Sequence, residues 1–400
     1  MSQVQMSQMQ LSHDPDDLLR YRSQFPILER TTYLISNSLG AMPVGVYDAM
    51  RNYADSWATL GVRAWEERWW MLAAEVGDLI GALMGAPRGS VATLPNVTTC
   101  QAVVASCFDF SGKRNKVVYS DLNFPSVMYF WEAQRERGVR VQTIPTEGIE
   151  VPTERLLEAI DEQTLLVPIS HVIFRSAFIN DAKAIIDRAH QVGAHVVLDA
   201  FQSLGTVPFD VQQLNVDFAC GGVLKWLCGG PGTAYLYVRP DLSKKLKPKF
   251  TGWIAHQEPF AFEIGPIRRT NSPYRFTNGT PNIPALEAAI PGLKIIAEVG
   301  IKKIREKSRR QTARLIELAD RQGWKVNTPR DPARRGGTVS IDMPSSKEVC
   351  AELLQRNILV DWRPGAGVRF SPHFYNADHE LESGIGAVEE ILQSRATLAR

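Results

Sequence analysis

The sequence of 400 residues is short of several things, and each shortage excludes something. Its five cysteines, Cys100, Cys107, Cys220, Cys228 and Cys350, form an odd, scattered set with no CxxC pair, so neither a disulfide framework nor a zinc site is indicated. An excess of charge of one sign is also missing. Lys and Arg number 45 against 43 Asp and Glu, a formal net charge of +2, so no global field calls for nucleic acid, an anionic membrane or a highly charged partner. No apolar run approaches the roughly 18 residues of a membrane span, and the opening MSQVQMSQMQLSHDPDD has neither the basic nor the apolar stretch of a signal peptide. A cytoplasmic protein is expected, with its function in local sites. A GxGxxG at a strand-to-helix turn is lacking too. GGPGT stands before a strand instead, which argues against a nicotinamide-dependent oxidoreductase.

What is present has a clear order. Residues 1–22 open on a Gln/Met/Ser-rich stretch with little apolar periodicity and are expected to be a flexible tail. Residues 23–85 form an N-terminal helical segment expected to pack on both domains. Trp65 and Trp69 stand four apart in it, and Gly85 and Pro87 stop it. From residue 86 to 290 short β-branched runs alternate with amphipathic stretches. Strands are predicted at 90–94, 116–120, 139–144, 165–172, 195–200, 217–222 and 233–238. Such alternation predicts an α/β domain with a mainly parallel seven-stranded sheet wrapped by helices, and a site at the carboxyl ends of the strands. Residues 291–400 read as a smaller C-terminal α/β domain. The basic cluster KKIREKSRR there has helical spacing and an interspersed Glu, and is expected to be a solvated helix face rather than a nucleic-acid contact.

The stretch VVLDAFQSLGTVPFDVQQLNVDFACGGVLKWLCGGPGTAYLYV carries the chemistry. Asp199 ends a buried strand, and Lys225 follows in an apolar, Gly-rich context. A buried carboxylate or ammonium is costly unless it is paired or covalently engaged. Taken singly, Asp199 could cap the next turn and Lys225 could reach solvent.

Together with its flanks, the segment resembles the pyridoxal-phosphate signature of fold-type-I enzymes of the class V aminotransferase superfamily, to which kynureninases, isopenicillin N epimerases and cysteine desulfurases belong. The resemblance extends from about residue 25 onward. It implies the aspartate aminotransferase-like fold, pyridoxal 5′-phosphate as cofactor, and a homodimer with the active site at the subunit interface. It implies that Lys225 forms the Schiff base and then moves the proton on the substrate Cα, that Asp199 keeps the pyridine nitrogen protonated, and that Gln202 lies near the ring. The turn and helix start in LPNVTTCQAVV would hold the phosphate through Thr98, Thr99 or neighbouring amides, although Asn96 or Thr98 could equally be no more than an N-cap. Thr280 in FTNGTPNIPAL and Trp253 in TGWIAH would reach a phosphate across the subunit boundary. Phe124 in DLNFPSVMYFW would stack on the ring. Arg369 in GVRFSPHFYN would grip the substrate carboxylate. Asn278 in YRFTNGTP, with Asn37 and Ser38 in YLISNSLGAMP, would border the substrate.

The resemblance also has gaps. Kynureninases carry a Tyr immediately before the lysine, where this chain has Leu224, and Val127 stands where they have Asp or Asn. Arg175 and Ser176 replace the small or polar pair of other class V members. Cys350, in the helical context KEVCAELL, does not resemble the mobile catalytic cysteine of the desulfurases. The expected reaction is kynureninase-like lyase or hydrolase chemistry at Cβ of an amino acid. Transamination or epimerisation is the alternative, and a catalytically inactive cofactor-binding homologue the third reading.

Overall fold

A computed structural model describes residues 16–398 apart from Glu147. All seven runs expected from the β-branched pattern are strands: β1 (Val91–Leu94), β2 (Lys116–Ser120), β3 (Arg140–Ile144), β4 (Thr164–Ser170), β5 (His195–Asp199), β6 (Phe218–Gly222) and β7 (Ala234–Val238). They form one sheet in the order β1-β7-β6-β5-β4-β2-β3. Every pairing is parallel except the two made by β7, which runs against both β1 and β6. Central strands such as β5 are apolar on both faces because helices cover both, so Val196, Val197 and Leu198 are all fully buried.

The C-terminal domain has a four-stranded antiparallel sheet. Its strands β8 (Lys325–Val326), β9 (Val339–Asp342), β10 (Asp361–Arg363) and β11 (Gly367–Phe370) lie in the order β10-β11-β9-β8. Helices Ile301–Arg321, Ser346–Gln355 and Asp378–Leu398 pack on it around Leu315, Val339, Leu353, Phe370 and Val388. The N-terminal segment touches both sheets' domains. Thr32–Tyr33 pairs in parallel with Ile358–Leu359 of the small domain, and the Gly40 amide donates to the Leu224 carbonyl beside the lysine at 2.8 Å. Helix Gly45–Leu60 then lies along helix Ile283–Val299, and the chain turns at Gly61 (φ 57°) and passes through a π-helical stretch, Trp65–Trp69, into helix Trp70–Ala82.

Three expectations need correcting. Of the tail expected over 1–22, residues 1–15 lie outside the described residues. The remainder is packed: Asp17–Gln24 is a 3-10 helix that buries Leu18 and Tyr21, and Arg22 pairs with Glu380 at 2.8 Å. The expected domain boundary at 290/291 falls inside helix Ile283–Val299, which passes through Pro291 and ends only at Gly300 (φ 83°), where the left-handed backbone favours glycine. In the basic cluster, Lys302, Lys303, Arg309 and Arg310 face solvent as expected. Lys307 is turned inward, where its Nζ meets Asp16 at 2.7 Å and the Phe374 carbonyl at 2.6 Å.

At the end of the large sheet opposite the lysine, Asp217 is fully buried just before β6. It accepts from His190 Nε2 (2.9 Å), His195 Nδ1 (3.1 Å) and the Val196 amide (2.8 Å), with Arg239 Nη1 at 3.2 Å. Burial alone would raise its pKa, but these donors carry it below the usual carboxylate range. A depressed acid stabilises the fold above its unfolded pKa and loses that contribution as pH falls through the folded one. Asp217→Asn is therefore expected to cost about 1–3 kcal/mol at pH 7. In urea unfolding, the gap to the natural protein should narrow once pH falls below about 4.

Candidate active site

Lys225 sits in the turn between β6 and β7. The turn is closed by hydrogen bonds from the Cys228 amide to the Lys225 carbonyl (3.0 Å) and from the Gly229 amide to the Val223 carbonyl (2.8 Å). Trp226 is buried behind it, its Nε1 donating to Gln202 Oε1 at 3.0 Å, and Gln202 Nε2 donates in turn to the Asn37 carbonyl at 3.0 Å. Gly40 makes the tightest approach. A methyl group there would lie 2.1 Å from the Lys225 carbonyl oxygen, so only glycine lets the N-terminal strap lie on the lysine turn.

The lysine looks into a cavity of ≈ 260 Å³ at the carboxyl ends of β4 and β5. Asn96, Thr98 and Ser126 lie on its wall, with Ser170, Asp199 and Gln202. Its apolar lining is Val97, Phe124, Val172, Phe174, Phe201 and Leu224. The Lys225 ammonium is 4.3 Å from the Phe201 ring centre and 5.5 Å from that of Phe124. Burial, opposed by Asp199 and aided by Arg369, lowers the Lys225 pKa to about 8. Asp199, 6% exposed, accepts from the Phe201 amide at 2.9 Å. Burial raises its pKa to about 6 against that hydrogen bond and the neighbouring lysine.

Helix Val97–Ser106 begins on the same cavity. Its N-cap is Asn96, whose Oδ1 accepts from the Thr99 amide at 2.9 Å and from the Thr99 hydroxyl at 3.1 Å. The amides of Val97 and Thr98 have no carbonyl four residues back within the helix, and Thr98 is exposed. An anion is favoured there. A carboxylate and an amine with displaced pKa values, an aromatic wall and a helix start thus converge on one cavity, and this donor set fits a phosphate-bearing, cationic aromatic aldehyde.

Not every residue named from the sequence meets there. Lys225, Asp199, Gln202, Thr98 and Phe124 do. The Thr99 side chain is instead committed to the cap. Arg369 is just behind Phe174, to whose carbonyl it donates at 2.6 Å, and its guanidinium is held by Asp361. The Asn37 side chain is buried with neither Oδ1 nor Nδ2 partnered, and Ser38 is half-buried with its amide on the Ile35 carbonyl. Asn278 and Thr280 line a small cavity on the far side of Pro95, while Trp253 and Thr280 border a wide one of ≈ 780 Å³ with Trp65, Trp70 and Phe260. Within one chain these three do not meet the lysine. Val127 is buried in helix Pro125–Ala133, which explains its apolar side chain. Ser126, Phe174, Phe201 and Asp361 are additions of the structure. Phe201 and Ser126 each stand two residues from a named one, and the spacing of Asp361 and Arg369 about the turn at Pro364–Gly365 is a hairpin signal.

The profile of the aminotransferase class-V family matches residues 32–381. The chain belongs to this family. The uncharacterized aminotransferase YcbU of Bacillus subtilis is 30% identical over 94% of this chain and 98% of its own length. The kynureninase of Pseudomonas fluorescens is 30% identical over 95% of this chain and 94% of its own. Among solved structures, the cysteine desulfurase of Thermococcus onnurineus superposes with a TM-score of 0.84 at 22% identity, over 98% of this chain and all of the other, a likeness of fold. The protein is accordingly a pyridoxal-phosphate-dependent enzyme of fold type I.

Because Gly40 sets the lysine turn, Gly40→Ala is expected to cost about 1–3 kcal/mol in unfolding and to weaken retention of added pyridoxal phosphate. Gly112→Ala, where a methyl group would meet nothing within 4 Å, should change neither.

Proposed function

We propose that the enzyme acts on an amino acid, with kynureninase-like lyase or hydrolase chemistry at Cβ. The observation that carries the reading is the convergence of Lys225 and Asp199 on one aromatic-walled cavity beside Arg369. Kynureninase relatives matched over nearly the whole chain support the Cβ outcome. A desulfurase outcome is disfavoured because no cysteine borders this cavity among the described residues. Cys350 is buried in its helix, with burial pushing its thiol up to about 11.

When bound, pyridoxal phosphate supplies an electrophilic aldehyde and an electron-withdrawing ring that stabilises charge released at the substrate Cα. The chain supplies the rest. The amine of Lys225 would hold the cofactor through its aldehyde carbon, with water as the leaving group, and when free would take up and return the proton at Cα. Its lowered pKa makes the neutral amine available near physiological pH. The Asp199 carboxylate would supply the counter-charge to the ring nitrogen. The helix start at Val97 and Thr98 would hold the phosphate, Phe124 would supply an aromatic face for the ring, and Arg369 would hold the substrate carboxylate. Thr99 contributes through its place in the cap, and Asn37 offers unpartnered donors and acceptors beside Gln202.

The proposal includes a homodimer and a cytoplasmic location. Helix Gly45–Leu60 buries no residue of its own and exposes Tyr47 and Trp57, and Val62 and Phe260 are exposed on the wall of the wide aromatic cavity. A second copy on this face would cover them and would carry Trp253, Thr280 and Asn278 toward its neighbour's lysine. All five thiols are free, as a reducing compartment requires.

Transamination is the second reading, favoured by Leu224, which lines the cavity without a proton to give. A panel of amino acids separates the two. Alanine plus an acid marks hydrolysis at Cβ, pyruvate plus ammonia marks elimination, and accumulation of pyridoxamine phosphate with a keto acid marks transamination. The first or second is expected. Capture of pyridoxal phosphate by the apoprotein should speed up about tenfold per pH unit and level off above pH about 8, where Lys225 is neutral. Lys225→Ala should abolish the absorbance band of the bound cofactor, and a surviving band would refute the role of this lysine.

A further inference from the structure

The guanidinium of Arg369 already has a carboxylate. Asp361 stands opposite it in the β10–β11 pairing and takes Nε on Oδ1 at 2.7 Å and Nη2 on Oδ2 at 2.5 Å. Nη1 donates to the Phe174 carbonyl at 2.6 Å, and Phe174 is itself a wall of the lysine cavity. Arginine has five N–H donors, so three commitments leave one on Nη1 and one on Nη2. Both side chains of the pair are buried, at 4% and 9% exposure, and a turn of the guanidinium would strand a buried charge.

Charge counting adds a second constraint. Arg363 Nη2 reaches the same Asp361 Oδ2 at 3.1 Å, so two guanidiniums share one carboxylate and the trio keeps one positive charge. That surplus is felt at Lys225, whose ammonium form is disfavoured by Arg369 and Arg363 and favoured by Asp361. A carboxylate that merely occupied the arginine until substrate arrived would need neither a second cation nor the Phe174 carbonyl as a third fixed point.

Resting on the reading of Arg369 as the anchor of the substrate carboxylate, we infer that Asp361 is a positioning residue. It fixes the plane of the Arg369 guanidinium and leaves two donors and one net positive charge for a single carboxylate of the substrate. The anchor is then built before substrate binds, and no ordering of a long side chain is left to the binding step.

The test uses the holoenzyme with two probes, L-alanine and ethylamine, which share an amine and differ by a carboxylate. Each is titrated against the absorbance of the bound cofactor, and the ratio of the two dissociation constants isolates the carboxylate. Asp361→Asn is expected to weaken L-alanine by about tenfold to a hundredfold while leaving ethylamine within about twofold. Arg369→Ala should collapse the same ratio. If Arg369→Ala leaves the ratio intact, the anchor reading fails and the inference with it. If Arg369→Ala collapses it and Asp361→Asn does not, the positioning role alone is overturned. Tighter L-alanine in Asp361→Asn would make Asp361 a competitor and overturn it as well. Should Asp361→Asn not fold, Arg363→Gln, on a partly exposed side chain, tests the charge count: L-alanine should weaken severalfold with ethylamine unchanged, and an unchanged ratio overturns the inference.

Discussion

An amine and a carboxylate held near each other, out of water, at the end of a sheet is the constraint on which this structure depends. Neither Lys225 nor Asp199 would be stable there alone, because desolvation penalises each charged form. Together they are tolerable, and burial moves their pKa values toward one another, to about 8 and about 6. The surrounding architecture keeps that pair dry and fixed. Strands β4 and β5 present Ser170 and Asp199, the β6–β7 turn presents Lys225, and Phe124, Phe174 and Phe201 close the walls.

The same logic of pairing recurs one step out. Arg369 and Asp361 belong to the small domain, yet Arg369 reaches the Phe174 carbonyl of the large one, so a charged group ties the small sheet to the cavity wall. The N-terminal strap adds a second tie. It pairs with the small domain at Thr32–Tyr33 and touches the lysine turn at Gly40. A displacement of either domain is therefore felt at the turn that carries Lys225.

Much of this was legible in the sequence, for local physical reasons. The β-branched runs located all seven strands to within about two residues, because strands buried on both faces need continuous apolar side chains. The DAFQ and LKWLCGGPG stretches marked Asp199 and Lys225, since a charged residue in an apolar, Gly-rich context demands an explanation. Other features depend on distance in space. The boundary at 290/291 rests on the change to a helix-rich, charged pattern, and helix Ile283–Val299 runs across that change. The inward turn of Lys307 needs Asp16, and the engagement of Arg369 needs Asp361 across a hairpin. Thr99 was indistinguishable from Thr98 until the cap showed which hydroxyl Asn96 holds. Trp253, Thr280 and Asn278 lie off the lysine cavity within one chain, and no local pattern in a sequence reports which surface meets a second copy.

The central claim is that Lys225, beside Asp199, is the amine that holds the cofactor. Reducing the holoenzyme with borohydride, digesting it and locating the added cofactor mass by peptide mass spectrometry tests that claim most directly. The account predicts the modification on Lys225 alone. Its appearance on another lysine, or on none, would contradict the account.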